Sequence, residues 1–167
     1  MDYYEVIRKR RSIRAYQNRD VEEDKLKRIL EAARIAPSAG NIQPWRFVAI
    51  RKDEVKQKLK AAYARPWFWT APVVICACGI TSEAWKRSDG KTYLDVDVAI
   101  AMDHLILAAT AEGLGTCWIG AFDPTEVKRI LHLPAGIEPI ALTPLGYPAE
   151  SPEPKPRKPW EEVIRHI

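Results

Sequence analysis

A layered α+β or α/β domain is the fold class this sequence predicts, on three observations. Strand-like and helix-like segments alternate along the chain, the pattern of a sheet covered by helices. The run Pro72 to Cys78 is apolar without a break, as in a central strand covered on both faces. The longest helical pattern, Leu94 to Glu112, is apolar around most of its circumference, so it must be buried on several sides. The 167 residues show no repeat and no boundary. One domain spanning 1–167, burying roughly 70% of its unfolded surface, accounts for them.

Taken in order, Tyr3, Val6 and Ile7 share a helical face, so Asp2 to Arg10 is predicted as a short helix. Asp20 with Glu23 three residues on has the form of a capping box. Val21, Leu26, Ile29, Leu30 and Ala33 then make a helical stripe that Pro37 ends. Residues Pro37 to Asn41 form a turn by composition, and a plain helix-to-strand loop accounts for them. Trp45 to Ile50 is a strand and Glu54 to Tyr63 a helix. Trp67-Phe68-Trp69 is assigned to core or interface packing, with the lining of a planar ligand's pocket as the alternative. The polar stretch Thr81 to Thr92 is a loop and a candidate cover.

Beyond it, the apolar surface of the Leu94–Glu112 helix is met most easily across a dimer interface, and Gly113 caps its C-terminus. Thr116 to Ile119 is a short strand. Asp123-Pro124-Thr125-Glu126 starts a helix with an Asp cap and proline at the first position. Ile137 to Leu145 is the last strand. The tail, with Pro152, Pro154, Pro156 and Pro159, must be extended.

Composition narrows the function classes. With 47% hydrophobic and 29% charged residues the chain folds; it is not a disordered segment. The N-terminus lacks an apolar signal region and no apolar run approaches ~20 residues, so no membrane span and a cytoplasmic location are expected. Cys76 and Cys78 point to one face of a strand and cannot easily bridge, and Cys117 is also assigned to the core. His104, His132 and His166 lack metal-ligand spacing, so no metal is expected. The net charge of +4 comes from 26 basic residues interleaved with 22 acidic ones. That pattern favours local anion sites over a nucleic-acid track. No Gly-x-Ser-x-Gly elbow, Walker loop or dinucleotide fingerprint is present; Gly113-x-Gly115 opens a strand, not a helix.

The stretch that carries chemistry is Arg10-Arg11-Ser12-Ile13-Arg14-Ala15-Tyr16. Three guanidinium forks and a hydroxyl within five residues match a small, densely anionic group. Alone, such a run is also compatible with a solvated face or a nucleic-acid patch. It is accompanied by Ala36 to Trp45 (APSAGNIQPW), by Gly113 to Gly120 (GLGTCWIG) and by Lys155-Pro156-Arg157-Lys158-Pro159. These four segments, in this order and over about Tyr3 to Val163, resemble the nitroreductase family of FMN-dependent oxidoreductases.

The resemblance selects α+β over α/β: a three-layer α-β-α sandwich with a mainly antiparallel sheet, its C-terminal segment exchanged in a homodimer with composite sites. It implies FMN as cofactor, NADH or NADPH as donor and small acceptors such as nitroaromatics or quinones, in a two-step hydride mechanism without nucleic acid or membrane. Arg10, Arg11 and Ser12, with Lys155 and Arg157, are expected at the phosphate, and Arg14 at the pyrimidine edge, where a cation stabilises the reduced flavin. Pro37, Ser38, Ala39, Asn41 and Gln43 are implied cofactor contacts, the turn coming from the second subunit. Ile119 and Gly120 are implied to lie over the central ring, where a backbone N–H bonds N5. No catalytic side chain is assigned. The chain is short for the family, with no covering insertion between Pro72 and Leu94. That keeps open the dehalogenating and flavin-fragmenting branches, with a basic nucleic-acid-binding domain as the reading of a different class.

Overall fold

The computed structural model describes residues 1–167. Four strands, β1 (Trp45–Ile50), β2 (Val73–Ile80), β3 (Gly115–Thr116) and β4 (Ile137–Gly146), form one sheet in the order β1-β2-β4-β3. All pairings are antiparallel, so the α+β assignment holds. Seven helices surround it: α1 (Tyr3–Lys9), α2 (Glu23–Arg34), α3 (Asp53–Lys58), α4 (Pro66–Trp69), α5 (Leu94–Ala111), α6 (Pro124–Leu131) and α7 (Trp160–Val163). No helix is long and apolar enough to cross a membrane.

The period of two in β2 divides the core into two layers. Val73, Ile75 and Ala77 face α2 and α5, where they pack with Leu26, Ile29, Val98, Met102 and Leu105. Val74, Cys76 and Cys78 face the other way, against Leu59, Phe68, Val127 and Ile130. All eight β2 residues are buried, as the unbroken apolar run predicts. Each such large aliphatic side chain contributes ~1.5–3 kcal/mol by leaving water. Cys76 and Cys78 are free thiols on one face, their sulfurs 3.4 Å apart. The three-layer α-β-α sandwich follows from this division. Phe68 is wholly buried and meets Tyr63 edge-on at 5.3 Å, so it is core, whereas Trp67 and Trp69 are only half-buried.

Several local expectations need correction. The helix after Asp20 begins at Glu23 with Glu22 as N-cap, and no side chain caps it. The reciprocal capping box is instead Asp2–Glu5, at the start of α1. On α1 only Val6 is buried; Tyr3 is 65% exposed and Ile7 lies outward beside it. The helix predicted to reach Tyr63 stops at Lys58 and tightens into a 3-10 turn over Leu59–Ala61. The strand predicted over Thr116–Ile119 is instead the two-residue β3, Gly115–Thr116, followed by a bridge from Ile119 to Leu142. By contrast, α6 starts as predicted, with Asp123 accepting the Thr125 and Glu126 N–H groups. α5 ends at Ala111 with Glu112 as C-cap, and Gly113 just beyond takes a φ of 77° that suits glycine, while the Leu114 N–H bonds the Ala109 carbonyl.

Candidate functional site

The arginine stretch is placed by backbone bonds at the sheet's margin. α1 stops at Arg10, whose φ/ψ of −53°/129° turns the chain into an extended course. Ser12 bridges Thr116 in parallel and the Ile13 N–H bonds the Thr116 carbonyl at 2.8 Å. Gly115 is required here, because a Cβ would lie 2.6–3.0 Å from Ile13 side-chain atoms. Further on, the Gln17 N–H bonds the Tyr147 carbonyl and the Ala149 N–H bonds the Ala15 carbonyl, both at 2.9 Å. The residues just after β4 therefore run beside residues 12–17, and the tail leaves β4 next to the arginines. Sequence distance of ~140 residues is closed by these bonds.

The result is a cleft of about 360 Å³ that brings together Arg10, Arg11, Ser12, Arg14, Lys155 and Arg157. Arg8 also lines it, and Glu153 is its only carboxylate. No cation of the cleft belongs to a salt bridge; the ten in the protein involve other residues. Arg11 donates to the Arg8 and Arg10 carbonyls at 2.6 and 2.8 Å, where its charge also offsets the negative end of α1. Arg157 donates to the Lys155 and Pro156 carbonyls. The Arg14 backbone N–H is held by the Glu150 carboxylate, leaving its guanidinium free, 5.8 Å from the centre of the Trp67 ring.

Beneath the cleft lie Cys117 and Tyr16. Burial pushes the Cys117 thiol up, opposed by the Arg14 guanidinium, the Ser12 hydroxyl and the Arg10 guanidinium. Burial likewise pushes the Tyr16 phenol far above its usual range, reinforced by Cys117 and Glu150. Its hydroxyl donates to the Ile13 carbonyl at 2.6 Å. Both groups are therefore neutral and add no negative charge beneath the cleft, where the carboxylate nearby is that of Glu150.

The remaining predicted site residues lie elsewhere in the chain. None of Pro37, Ser38, Ala39, Asn41 and Gln43 lines the cleft. They form a tight turn after α2, with a 3-10 segment over Ala39–Asn41 and left-handed φ values at Gly40, Asn41 and Gln43. Ile119 and Gly120 differ from each other. The Ile119 N–H is committed to the Leu142 carbonyl at 2.9 Å, whereas Gly120 is exposed, with nothing within 4 Å of where a Cβ would stand. Of the two, only Gly120 has a backbone N–H available to a ligand.

Sequence reading missed Asp97, a buried carboxylate that accepts the Ala39 N–H, and Glu150, which holds Arg14. The signal for Asp97 was present, as an acid within the apolar pattern of α5.

The nitroreductase family model matches residues 7–65 and 56–147, which include both the arginine stretch and the turn. The chain belongs to the nitroreductase family. A solved nitroreductase family protein from Clostridium difficile superposes with a TM-score of 0.92 at 38% identity, over 99% of this chain and 98% of that one. An NADH dehydrogenase of Thermus thermophilus is 35% identical over 187 residues, 93% of this chain and 91% of that protein. An FMN reductase [NAD(P)H] of Bacillus subtilis is 33% identical over 170 residues, 92% of this chain and 68% of that protein. The nitroreductase fold thus supplies the frame that brings residues 10–14 and 155–157 together.

Proposed function

We propose that this chain is an FMN-dependent oxidoreductase that takes electrons from NADH or NADPH and delivers them to small acceptors such as nitroaromatics or quinones. The observation that carries this reading is the cleft, where six cations face one carboxylate and none is ion-paired. Guanidinium groups gathered in this way repel one another until an anion joins them, and a phosphomonoester of nearly two charges suits them. The cleft lies at the C-terminal end of α1 and lacks the glycine-rich helix start that a pyrophosphate uses, which favours FMN over FAD. The relatives named NADH dehydrogenase and FMN reductase [NAD(P)H] support the same donor and flavin.

In this reading Arg10, Arg11, Ser12, Lys155 and Arg157 hold the phosphate. Arg14 serves the opposite, pyrimidine end, and Gly120 offers its free N–H. FMN held there would supply two-electron redox chemistry between the nicotinamide and the acceptor. The chain's own work is to bind, to orient and to set the field, and no side chain acts as a proton donor or base.

The protein is proposed to act as a homodimer with two composite sites. Along α5, Val96 is exposed, and Ile100 and Leu107 are only half-buried. Tyr3, Ala32, Ile35 and Leu107, with Asp103 and His104, line an open groove between α1, α2 and α5. Beyond Ser151 the tail is exposed almost throughout, including Trp160 and Val163 of α7. A second copy covers both surfaces and brings in the Pro37–Gln43 turn. The deciding experiment is an absorption spectrum before and after adding FMN, with mass spectrometry of the heat-released cofactor. FMN should be recovered; FAD as the sole flavin, or no flavin uptake, overturns the reading.

A further inference from the structure

Asp97 lies in the first turn of α5 and is 1% exposed. Its Oδ1 accepts the Ala39 N–H at 2.9 Å, and its Oδ2, also buried, accepts no hydrogen bond. Burying a carboxylate in an apolar layer is costly unless hydrogen bonds or opposite charge offset it; here one N–H and the positive end of the helix do so in part.

The segment it holds is strained. Gly40, Asn41 and Gln43 have φ of 58°, 54° and 57°, and two of these three are not glycine. Side chains in the left-handed region persist only where surrounding bonds over-determine them. Within the turn, Ser38 Oγ accepts the Gln43 N–H at 2.9 Å, and the Gln43 amide donates to the Asn41 carbonyl at 3.1 Å. The Asn41 N–H returns to the Ser38 carbonyl at 3.0 Å. These bonds shape the turn but do not fix it in the fold. Among the hydrogen bonds of residues 38–43, two reach another element: the Trp45 N–H at the start of β1 donates to the Gln43 carbonyl at 2.8 Å where the chain leaves the turn, and the Ala39 N–H, on the entering side, is tied to α5 through Asp97.

We propose that Asp97 is a positioning residue: it locks the 37–43 turn onto α5 and so presets Ser38 and Asn41 for the ligand they serve. The identity of that ligand, FMN bound in a second copy of the chain, rests on the function proposed above. At 1% exposure Asp97 is screened from any substrate, so it acts through the turn and not on the reacting atoms.

The test uses full-length protein with three variants. Asp97→Asn keeps an acceptor for Ala39, Asp97→Ala removes it, and Asp97→Leu removes it while filling the space. Hydrogen exchange of the Ala39, Asn41 and Gln43 amides is followed without flavin, and FMN affinity is measured by fluorescence quenching. The Ala and Leu variants should exchange these amides about tenfold faster and bind FMN about tenfold more weakly, the effect of one lost hydrogen bond. Asp97→Asn should stay within about threefold of wild type on both measures. Unchanged exchange in the Ala and Leu variants overturns the proposal, and so does faster exchange with unchanged FMN affinity. If both unfold while Asp97→Asn folds, Asp97 is a core-stabilising group and the positioning role falls. A wild type that takes up no FMN, with the exchange pattern still as expected, removes the flavin reading and leaves the anchoring intact.

Discussion

Replacing Arg10 by alanine should separate affinity from stability. In the protein Arg10 ends α1 through its backbone N–H, which bonds the Val6 carbonyl at 2.9 Å, and the side chain takes part in no salt bridge. Truncation therefore breaks no native ion pair and relieves some repulsion from Arg8, Arg11 and Arg14 in the same cleft. Thermal stability of the flavin-free protein should be unchanged or slightly higher. FMN affinity, in contrast, should lose about one charge-assisted hydrogen bond, ~1.5–3 kcal/mol, which is roughly a 10- to 150-fold rise in Kd. Raising the salt concentration should weaken wild-type binding more steeply than variant binding, since one fewer charge is being screened.

Arg14→Ala is the contrasting variant. Its backbone N–H keeps the Glu150 bond, so only the guanidinium is lost. If it faces the end of the flavin where negative charge gathers on reduction, the midpoint potential should fall and the half-reaction with NAD(P)H should slow at saturating FMN. Fluorescence titration, differential scanning calorimetry and a redox titration cover both variants. An Arg10→Ala protein with wild-type FMN affinity refutes the phosphate assignment, and an unchanged potential in Arg14→Ala removes Arg14 from the site.

Two further outcomes test the frame around the site. Lys56 is buried, donates to the Ala71 and Pro72 carbonyls at 2.8 and 3.2 Å and pairs with Asp53 at 2.9 Å; Lys56→Met should cost about 1–3 kcal/mol in urea unfolding, and a neutral result contradicts that role. Glu22 is held down to about 2, first by the Tyr147 hydroxyl and then by its own backbone N–H, with Arg19 adding a smaller effect. The folded state thus binds fewer protons than the unfolded one between the ordinary carboxylate range and pH 2. The stability Glu22 contributes is complete above that range and drains away as pH falls through it, so Tyr147→Phe should flatten the acid limb of a stability-versus-pH curve and leave its neutral plateau nearly flat.

The fold was legible wherever one pattern had a single way to be buried. β2 is the clearest case: an unbroken apolar run in a chain of this size has nowhere to go but between two layers. α6 was legible because cap, proline and apolar stripe agree within eight residues. Failures occurred where two local solutions compete. Asp20 has the composition of a cap, yet the chain stays extended for two more residues because Val21 is drawn into the core at 1% exposure, delaying the helix to Glu23. On α1, periodicity marked an apolar face correctly, but a single chain covers only Val6 of it.

The cleft was legible in part for the same reason: cations are conspicuous in sequence, and the tail's prolines announce an extended course toward them. What sequence could not give is that backbone bonds along residues 12–17 and 147–149 bring the two ends together. The turn is harder still, since its polar residues are those of any loop and its anchor, Asp97, sits 58 positions away. Truncation after Pro152 separates the tail from the turn and its anchor. The deletion removes Lys155, Arg157 and α7 but leaves every strand and the Asp97 anchor in place, so the individual fold should survive with native-like circular dichroism. Two of the cleft's six cations are lost, and so is the exposed apolar surface of Trp160 and Val163, which on its own finds no cover. If the full chain is the dimer proposed above, light scattering should show it giving way to monomer at low micromolar concentration, together with loss of FMN. A truncated chain that remains a flavin-loaded dimer would show that the tail neither holds the phosphate nor joins the subunits, leaving the four arginines between residues 8 and 14 to bind alone.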